Sequence, residues 1–415
     1  MIKRTTLLIA ALLADFAAPA YAEDDFTADS RFSELAESLK QEEKKTKKKK
    51  KKKKKKKNEG DWCKDLQDIG VIYKNKKNPW VQKVTVFGRI QNNWIYSDGD
   101  DNGRDFSNYG SELRRFRVGA DIEFLNGFTL HGRINLEDGE LFDNETAHRD
   151  FNELSLKYKW EDVGVFKKIT AGYGLEKIVF GGEWYYTSKE IKTVERSNLS
   201  QFFAPDRANG AFFSAETKDW EVLFGVYSTG EQGYVFADWN GGLGYFISAK
   251  RDLGKKTNLR ADFVYVDATD EQDNIFGYDW ASSLNYDIDL GKWDLFVNAT
   301  YGSTDRGDVY GVVIMPSTFI IKKKLEAVFR YQWAGSDGQT LRPGSGTHTS
   351  VRTIAESDGI GIARGDESHT FYAGLNYHFC DDNLKLLTGI EYETLDGDNA
   401  DTEAVTLWSS IRFFF

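Results

Sequence analysis

The sequence predicts a transmembrane antiparallel β-barrel of about sixteen strands over residues 81–415, preceded by a short helical and low-complexity extension. From residue 81 onward, apolar and polar side chains alternate with a period of two. About sixteen such segments follow, many of ten residues or more, which is the length of a tilted strand that crosses a bilayer. Short turns alternate with long polar connections. No run of 18 apolar residues offers a spanning helix, which excludes a helical membrane protein.

The N-terminus has the three parts of a secretory signal. Lys3 and Arg4 supply positive charge, residues 7–13 are apolar, and Ala20-Tyr21-Ala22 supplies small residues around a cleavage site. We therefore expect residues 1–22 to be a signal peptide that is removed on export. Export without a spanning helix leaves either a soluble exported protein or a barrel in the outer membrane.

Residues 23–57 form an extension of biased composition. Phe32, Leu35 and Leu39 follow helical spacing and form one narrow apolar seam. Several copies of the chain could pair through this seam as a short coiled coil. An uninterrupted lysine run then begins at Lys47 and ends at Lys57, and like charges should keep it extended. Two interpretations stay open for this run: a solvated spacer, or a segment that binds anionic peptidoglycan, lipid or phosphate. Residues 58–80 are predicted to be a periplasmic linker.

Charge is divided unevenly along the chain. The whole chain holds 55 Lys and Arg against 65 Asp and Glu, a formal charge of −10, and residues 1–57 hold 17 of the basic and 9 of the acidic side chains. The remainder, from residue 58 onward, is therefore acidic at −18. Many of the acidic side chains lie in predicted outer loops, at 98–105, 267–274 and 396–403. These oxygens could share divalent cations with lipopolysaccharide, but no segment completes an EF-hand loop, so no specific metal site is predicted.

The first three predicted strands each have one apolar and one polar face, as expected where one side meets lipid and the other water. The apolar faces hold Val84, Val86, Ile90 and Trp94; then Phe116, Val118, Ala120, Ile122 and Phe124; then Phe128, Leu130, Ile134 and Leu136. The opposite faces hold Lys83, Thr85, Arg89, Gln91 and Asn93; then Arg115, Arg117, Asp121 and Glu123; then Thr129, His131, Arg133, Asn135 and Glu137. A turn near Asn126 sets Gly119 opposite Arg133 and Arg117 diagonal to it.

Strand starts and connection lengths extend this pattern to the C-terminus. Strands are predicted to begin near 81, 111, 127, 149, 166, 208, 219, 242, 256, 276, 291, 308, 322, 367, 383 and 402. Long polar connections are predicted at 97–110, 138–148, 176–207, 229–241, 335–366 and 395–401, with short turns between them. Barrels of the outer membrane have this asymmetry, with the short turns in the periplasm.

The last strand explains the terminal Phe413-Phe414-Phe415. Its alternation points Phe415 outward, at the periplasmic aromatic girdle, where it should pair with the first strand and close the barrel. A terminal aromatic residue of this kind also resembles the signal that such barrels present to their assembly machinery.

Three passages resemble the phosphate-selective porin O/P family of Gram-negative outer membranes. They are NPWVQKVTVFGRIQ at 78–91, ELRRFRVGADIEFLNGFTLHGRINLE at 112–137 and SKEIKTVERSNLSQFFAPDRANGAFF at 188–213. The resemblance implies a sixteen-stranded homotrimeric barrel in the outer membrane. It also implies an inward-folded constriction loop and a narrowed pore lined by basic residues.

We therefore expect a porin that lets small hydrophilic solutes diffuse passively. Clustered guanidinium groups are suited to phosphate or carboxylate, and weak sites in series let an ion enter and leave. General diffusion and anion selectivity both stay open, because Asp121, Glu123, Glu137, Glu190 and Glu195 could balance the positive charge. The candidate pore residues are Arg89, Arg115, Arg117, Arg133, Lys157, Lys159, Lys189, Lys192, Arg196 and Arg207.

The two cysteines fall at the same predicted end of the barrel. Cys63 precedes the first strand on the periplasmic side, and Cys380 ends a strand at a predicted periplasmic turn. In an exported protein this placement suggests a disulfide that pins the segment around Cys63 beneath the barrel.

Two other functions compete with that of a porin. An outer-membrane enzyme would need a nucleophile and a base in reach of each other, and the five histidines (131, 148, 348, 369 and 378) form no paired motif. A structural anchor that binds the cell wall through residues 47–57 would be compatible with a porin. We expect no cofactor and no nucleic-acid partner. The expected partners are membrane lipid, lipopolysaccharide and the barrel assembly machinery.

Overall fold

The computed structural model describes residues 62–136, 151–205, 207–230, 239, 241–254, 256–268, 274–344 and 350–415. The predicted signal peptide, coiled-coil seam and lysine run lie outside the described residues, as do Glu137, His148 and His348. The described part of the chain contains four short helices: α1 (Trp62–Asp68), α2 (Gly182–Tyr185), α3 (Asn198–Phe202) and α4 (Val351–Ser357). Among the described residues, none of the helices has the length and apolar composition needed to span a bilayer.

Seventeen strands account for most of the described chain, and sixteen of them form the barrel wall. A short strand, β1 (Val71–Lys74), precedes the wall. The wall strands are β2 (Val81–Asp101), β3 (Arg104–Phe124), β4 (Phe128–Asn135), β5 (Phe151–Val163), β6 (Phe166–Lys177), β7 (Arg207–Glu216), β8 (Trp220–Ser228), β9 (Gly242–Asp252), β10 (Asn258–Ala268), β11 (Trp280–Asp289), β12 (Asp294–Thr304), β13 (Gly307–Ile321), β14 (Leu325–Ser336), β15 (Glu367–Cys380), β16 (Leu384–Gly397) and β17 (Ala400–Phe414).

Each wall strand pairs antiparallel with its sequence neighbours, and β17 pairs with β2. The sheet is thus a closed sixteen-stranded barrel, which confirms the predicted fold class. At the closing seam, the backbone amide of Phe415 donates to the carbonyl of Gly88 at 3.1 Å, and the Gly88 amide donates back at 3.2 Å. The phenyl ring of Phe415 lies over Gly88, where a Cβ atom would come within 2.4 Å of the ring.

The short strand β1 extends the edge formed by β17. It pairs with β2 as far along as Thr85, and the residues of β2 that pair with β17 follow shortly after. The Gly70 carbonyl also accepts a hydrogen bond from the Val86 amide at 2.8 Å. β1 therefore satisfies backbone groups of β2 that β17 is too short to reach. Both α1 and β1 lie within the predicted linker, residues 58–80.

Along the wall, polar side chains face the barrel interior and apolar side chains are exposed on the outer surface, which is the opposite of a soluble protein. In β2, Gln91 and Asn93 are buried, whereas Ile90 and Trp94 are exposed on the outer surface. The period-two prediction for this strand is confirmed. The predicted register is confirmed as well, because Gly119 pairs with Arg133 across β3 and β4.

Exposed aromatic side chains ring the outside at both ends of the barrel. The exposed tryptophans at or beside the short-turn end include Trp80, Trp160, Trp220 and Trp293, and the tyrosines near the other end include Tyr245, Tyr265 and Tyr301. Two such girdles, separated by an outward apolar band, are the surface that a bilayer-spanning barrel presents to lipid.

The predicted strict alternation of turn lengths is wrong at two named places. The predicted loop 97–110 is a hairpin in which β2 and β3 continue to a two-residue turn, and residues 398–399 form a similar turn inside the predicted loop 395–401. In the first turn Asn102 and Gly103 both have positive φ, 53° and 77°. Asn-Gly favours this conformation and matches the twist of the flanking strands. The acidic segments 98–105 and 396–403 therefore lie mainly in strands that extend past the rest of the wall.

Much of the interior along β9–β14 is apolar. Inward-facing Phe246, Val264 and Val313 are buried against Phe180 and Phe203 of the connection between β6 and β7. This connection, residues 178–206, therefore packs against one side of the interior rather than projecting outward. The opposite side, formed by β2–β7, keeps polar and charged side chains on its inner face.

Candidate functional site

The connection between β6 and β7, here called the constriction loop (residues 178–206), crosses the barrel interior and is held by buried cations from the wall. The Arg412 guanidinium of β17 donates to the carbonyls of Ser188 and Thr193, each at 3.1 Å. The Arg330 guanidinium of β14 donates to the Glu195 carbonyl at 2.8 Å. Since backbone carbonyls deep in a protein need donors, these contacts fix the loop across the lumen.

Glu195 is the charged anchor of the constriction loop. Its carboxylate accepts from Arg114 Nε at 3.0 Å and from Asn93 Nδ2 at 2.9 Å. Burial alone raises the pKa of the Glu195 carboxyl, but Arg114, Arg115 and Arg412 together outweigh burial and lower the pKa to about 2. The group is therefore ionised at neutral pH and balances guanidinium groups from β3 and β17.

A second ion-pair network links β4, β5 and β7. The Glu153 carboxylate accepts from Arg207 Nε at 3.3 Å and also pairs with Arg133. The His131 ring lies between Asp121, at 2.7 Å, and Glu153, at 3.1 Å. Glu153 thus binds three cationic or polar side chains at once. It was absent from the sequence-based list, because nothing local distinguishes it from other strand carboxylates.

These networks border a cavity of about 450 Å³ between the constriction loop and the wall of β2–β7, here called the arginine cavity. Six predicted pore residues line it: Arg89, Arg115, Arg117, Arg133, Arg196 and Arg207. Arg114 and Lys177 also line it, which gives eight basic side chains against two lining carboxylates, Glu153 and Glu176. Such a surplus of guanidinium groups in a confined space favours anions.

Arg114 was missed because the sequence gives no sign of a β-bulge. Gln91 pairs with Arg115 and Asn93 pairs with Glu112, so β3 has one extra residue at this point. A bulge breaks the strict alternation of faces. Arg114 and Arg115 can therefore both point toward the interior although they are adjacent in sequence.

The aromatic side of the arginine cavity comes from the constriction loop. Arg196 lies over the Trp184 ring, with its guanidinium carbon 4.4 Å from the ring centroid, and donates to the carbonyls of Glu183 and Tyr186 at 2.9 Å each. Burial lowers the pKa of Arg196 to about 10, although Glu183 and Glu195 oppose that change. The guanidinium therefore stays charged at neutral pH.

The four predicted lysines lie outside the arginine cavity. Lys157 pairs with Glu176 at 2.6 Å. Lys189 lies over the Phe414 ring, at 5.9 Å, near the short-turn end. Lys192 binds Glu326 at 3.2 Å on the far side of the constriction loop. Lys159, the other wall lysine, pairs with Glu161 and is also outside the cavity.

The two cysteines meet beneath the wall. A disulfide joins Cys63 of α1 to Cys380 at the end of β15. This bond and the pairing of β1 with β2 attach residues 62–74 to the short-turn end at two points. Within the described ranges, no group of three or more His, Cys, Asp or Glu side chains is arranged to hold a metal ion.

Comparison with solved structures supports the barrel architecture. An anion-selective porin from Comamonas acidovorans has a similar fold (TM-score 0.54, 14% identity, covering 80% of this chain and 99% of that chain). Salmonella typhi OmpF in complex with daunomycin is also similar (TM-score 0.52, 12% identity, 83% and 100%). So is the OmpT loop L8 deletion mutant of Vibrio cholerae (TM-score 0.51, 11% identity, 80% and 99%).

At these identities the likeness establishes the fold and nothing finer. No family model matches the chain. No curated protein matches it either. The comparisons therefore do not show membership in the phosphate-selective porin O/P family.

Proposed function

We propose that this chain is an outer-membrane porin, a water-filled channel through which small hydrophilic solutes diffuse passively, with a preference for anions such as phosphate. The arginine cavity is the observation that carries this proposal. Eight basic side chains border it against two carboxylates. The outward apolar band and its two aromatic girdles support a membrane location, and export predicted from residues 1–22 agrees with that location.

The charge of the lining favours anions even though the body of the chain is acidic. Selectivity is set by the groups within a few ångströms of the permeating ion, because salt screens more distant charges within about 8 to 10 Å. The acidic segments 98–105 and 396–403 lie at the ends of long strands, away from the cavity. One solved structure of similar fold is an anion-selective porin, but the preference proposed here rests on this chain's own residues.

We also propose that the chain is not an enzyme. Among the described histidines, His131 pairs with a lining residue of the arginine cavity, Glu153, and carboxylates of Asp121 and Glu153 engage its two ring nitrogens. Neither nitrogen is then available to activate a nucleophile. We further propose that the chain forms a homotrimer and that the barrel assembly machinery recognises Phe415.

Phosphate block of chloride current in planar bilayers tests the anion preference. We expect phosphate to reduce single-channel chloride current, and Arg117→Gln to weaken that block about ten-fold, because it removes one charged donor from the cavity. Arg104→Gln is the matched control, since Arg104 lies in the β2–β3 hairpin, outside the cavity, and pairs with Asp101 at 2.6 Å. Absence of block in the wild type, or equal weakening by both variants, would contradict the proposed site.

A further inference from the structure

A second cavity lies on the other face of the constriction loop, between the loop and β11–β13. Its volume is about 290 Å³. The loop residues Tyr186, Glu190 and Ile191 border it, whereas Tyr185, Thr187 and Ser188 border the arginine cavity. The same short segment of the loop therefore separates two cavities, and the second one is here called the carboxylate cavity.

The walls of the carboxylate cavity are mainly apolar and include an aromatic pair. Ile288, Leu295 and Met315 supply aliphatic surface. The rings of Tyr186 and Phe296 lie with their centroids 6.4 Å apart and their planes inclined at 59°. Aromatic faces attract organic cations, most strongly where water is excluded. A concave apolar pocket with a few convergent polar groups is the usual form of a small-molecule site.

The charged groups of this cavity are predominantly acidic. Glu183, Glu190, Asp287 and Asp294 line it together with two lysines, Lys192 and Lys256. Both lysines already have anionic partners. The Lys192 amino group lies 3.4 Å from Asp294 and 3.2 Å from Glu326, and that of Lys256 lies 3.7 Å from Asp289, which is outside the cavity.

Asp287 is the carboxylate that the local structure orients toward the aromatic pair. It accepts a hydrogen bond from the Tyr186 hydroxyl at 2.8 Å. Glu190 accepts from the backbone amide of Thr187 at 3.1 Å. These partners are neutral donors, so they hold the two carboxylates in place without adding positive charge.

We propose that the carboxylate cavity binds a small amphipathic organic cation, such as an ammonium compound with one aromatic or branched apolar group. The ammonium group lies against Asp287 and Glu190, and the apolar group packs against Tyr186, Phe296 and Ile288. This site is opposite in charge to the arginine cavity. It does not depend on ion permeation, so it can be present even if the proposed channel function is wrong.

Ligand-observed NMR titration with benzyltrimethylammonium tests this site, using the purified full-length protein in a non-ionic detergent. A ligand of this size in a partly formed pocket should have a Kd of about 1 mM. Benzoate, which carries the opposite charge, should show no saturable binding at the same concentrations. Detergents with choline head groups must be avoided, because they would compete for the site.

Two substitutions separate a specific site from a general effect of charge. We expect Asp287→Asn to weaken binding about ten-fold, and Asp308→Asn, which removes the same charge from β13 outside the cavity, to leave binding within about two-fold. Phe296→Leu should weaken binding as well, by removing one aromatic face. Retention of the folded, heat-modifiable band on SDS gels shows that each variant has closed its barrel.

Three results would overturn the proposal. They are the absence of saturable binding at about ten times the expected Kd, wild-type affinity in Asp287→Asn, and equal weakening by Asp287→Asn and Asp308→Asn. The sign of ion selectivity in the bilayer experiment is independent of all three. A failure of this proposal is therefore distinguishable from a failure of the proposed channel function.

Discussion

Replacement of Glu195 by Gln should loosen the constriction loop while the barrel stays closed. Glu195 is the loop carboxylate that faces Arg114, Arg115 and Arg412 from the wall. Gln has nearly the same shape and keeps an oxygen that can accept from Asn93, so the substitution removes the charge with little change in packing. Its effect therefore reports the electrostatic part of the anchor.

The expected magnitude follows from the pKa of the carboxyl. Its fall to about 2 in the folded protein corresponds to about 3 kcal/mol of interaction between the ionised carboxylate and its surroundings. Loss of the charge also leaves buried guanidinium groups with one anion fewer. We expect Glu195→Gln to cost about 2 to 3 kcal/mol, which raises the population of the released loop by about 30-fold to 150-fold.

Hydrogen exchange measured by mass spectrometry on peptides from residues 178–205 is the direct assay. Exchange of the loop amides should accelerate by about the same factor in Glu195→Gln, whereas peptides from β13 and β14 should be unchanged. Glu190→Gln provides the control, because Glu190 is an exposed carboxylate of the same loop, and its effect should stay within about 0.5 kcal/mol.

The lowered pKa of Glu195 predicts a dependence on pH with a definite sign. Because the folded-state pKa of Glu195 is lowered, its stabilisation is present in full above the ordinary carboxyl pKa and is lost as pH falls toward 2. After correction for intrinsic rates, loop exchange in the wild type should accelerate between about pH 4.5 and pH 2. Glu195→Gln should lack that component. Equal exchange of the loop in wild type and variant at neutral pH would refute the anchoring role.

Three further predictions address closure, the disulfide and the lumen. Gly88→Leu should displace the ring of Phe415 and reduce the heat-resistant band on SDS gels, whereas Gly361→Ala, at a site with open space, should not. Cys63→Ser should expose α1 and β1 to protease, detected by cleavage before residue 81, while the band shift of the closed barrel persists. Glu393→Ala should increase single-channel conductance, because one Glu393 oxygen accepts from the Asn198 side chain of the constriction loop at 2.6 Å and from the Gly344 amide of the β14–β15 connection at 2.9 Å. Unchanged conductance would argue against that role.

The strands were predictable because a bilayer-spanning sheet imposes its pattern on every residue. Because alternate residues of a strand point to opposite faces of the sheet, the outward positions of Ile90 and Trp94 could be deduced from the sequence alone. The register between β3 and β4 also followed, because a tight turn near Asn126 fixes which residues face each other. Local rules suffice for such features.

Features that depend on distant contacts could not be deduced in the same way. Arg330 and Arg412 look like any other inward strand residue, and only the folded constriction loop gives them carbonyl partners more than 130 residues away in sequence. The Arg114 bulge likewise depends on how β3 matches β2. The apolar interior of β9–β14 does have a signal in the sequence. Phe263-Val264-Tyr265-Val266 is apolar on both faces, and such a run indicates a strand buried on both sides.

The Asn102-Gly103 turn was available from the sequence and was overlooked. Asn-Gly between alternating segments is a strong hairpin signal, whereas the acidic composition around it favours a loop. Composition is the weaker guide here, because strands that extend beyond the membrane can be polar on both faces. The lining residues Glu153 and Lys177 had no comparable signal.

The reversal potential of single channels under a potassium chloride gradient tests the central claim most directly. The central claim is that a closed barrel surrounds a lumen in which the constriction loop leaves a passage bordered by the arginine cavity. We predict discrete conductance steps and a reversal potential displaced toward the chloride equilibrium potential. A reversal potential displaced toward that of potassium, or a purified protein that forms no channels, would contradict the account.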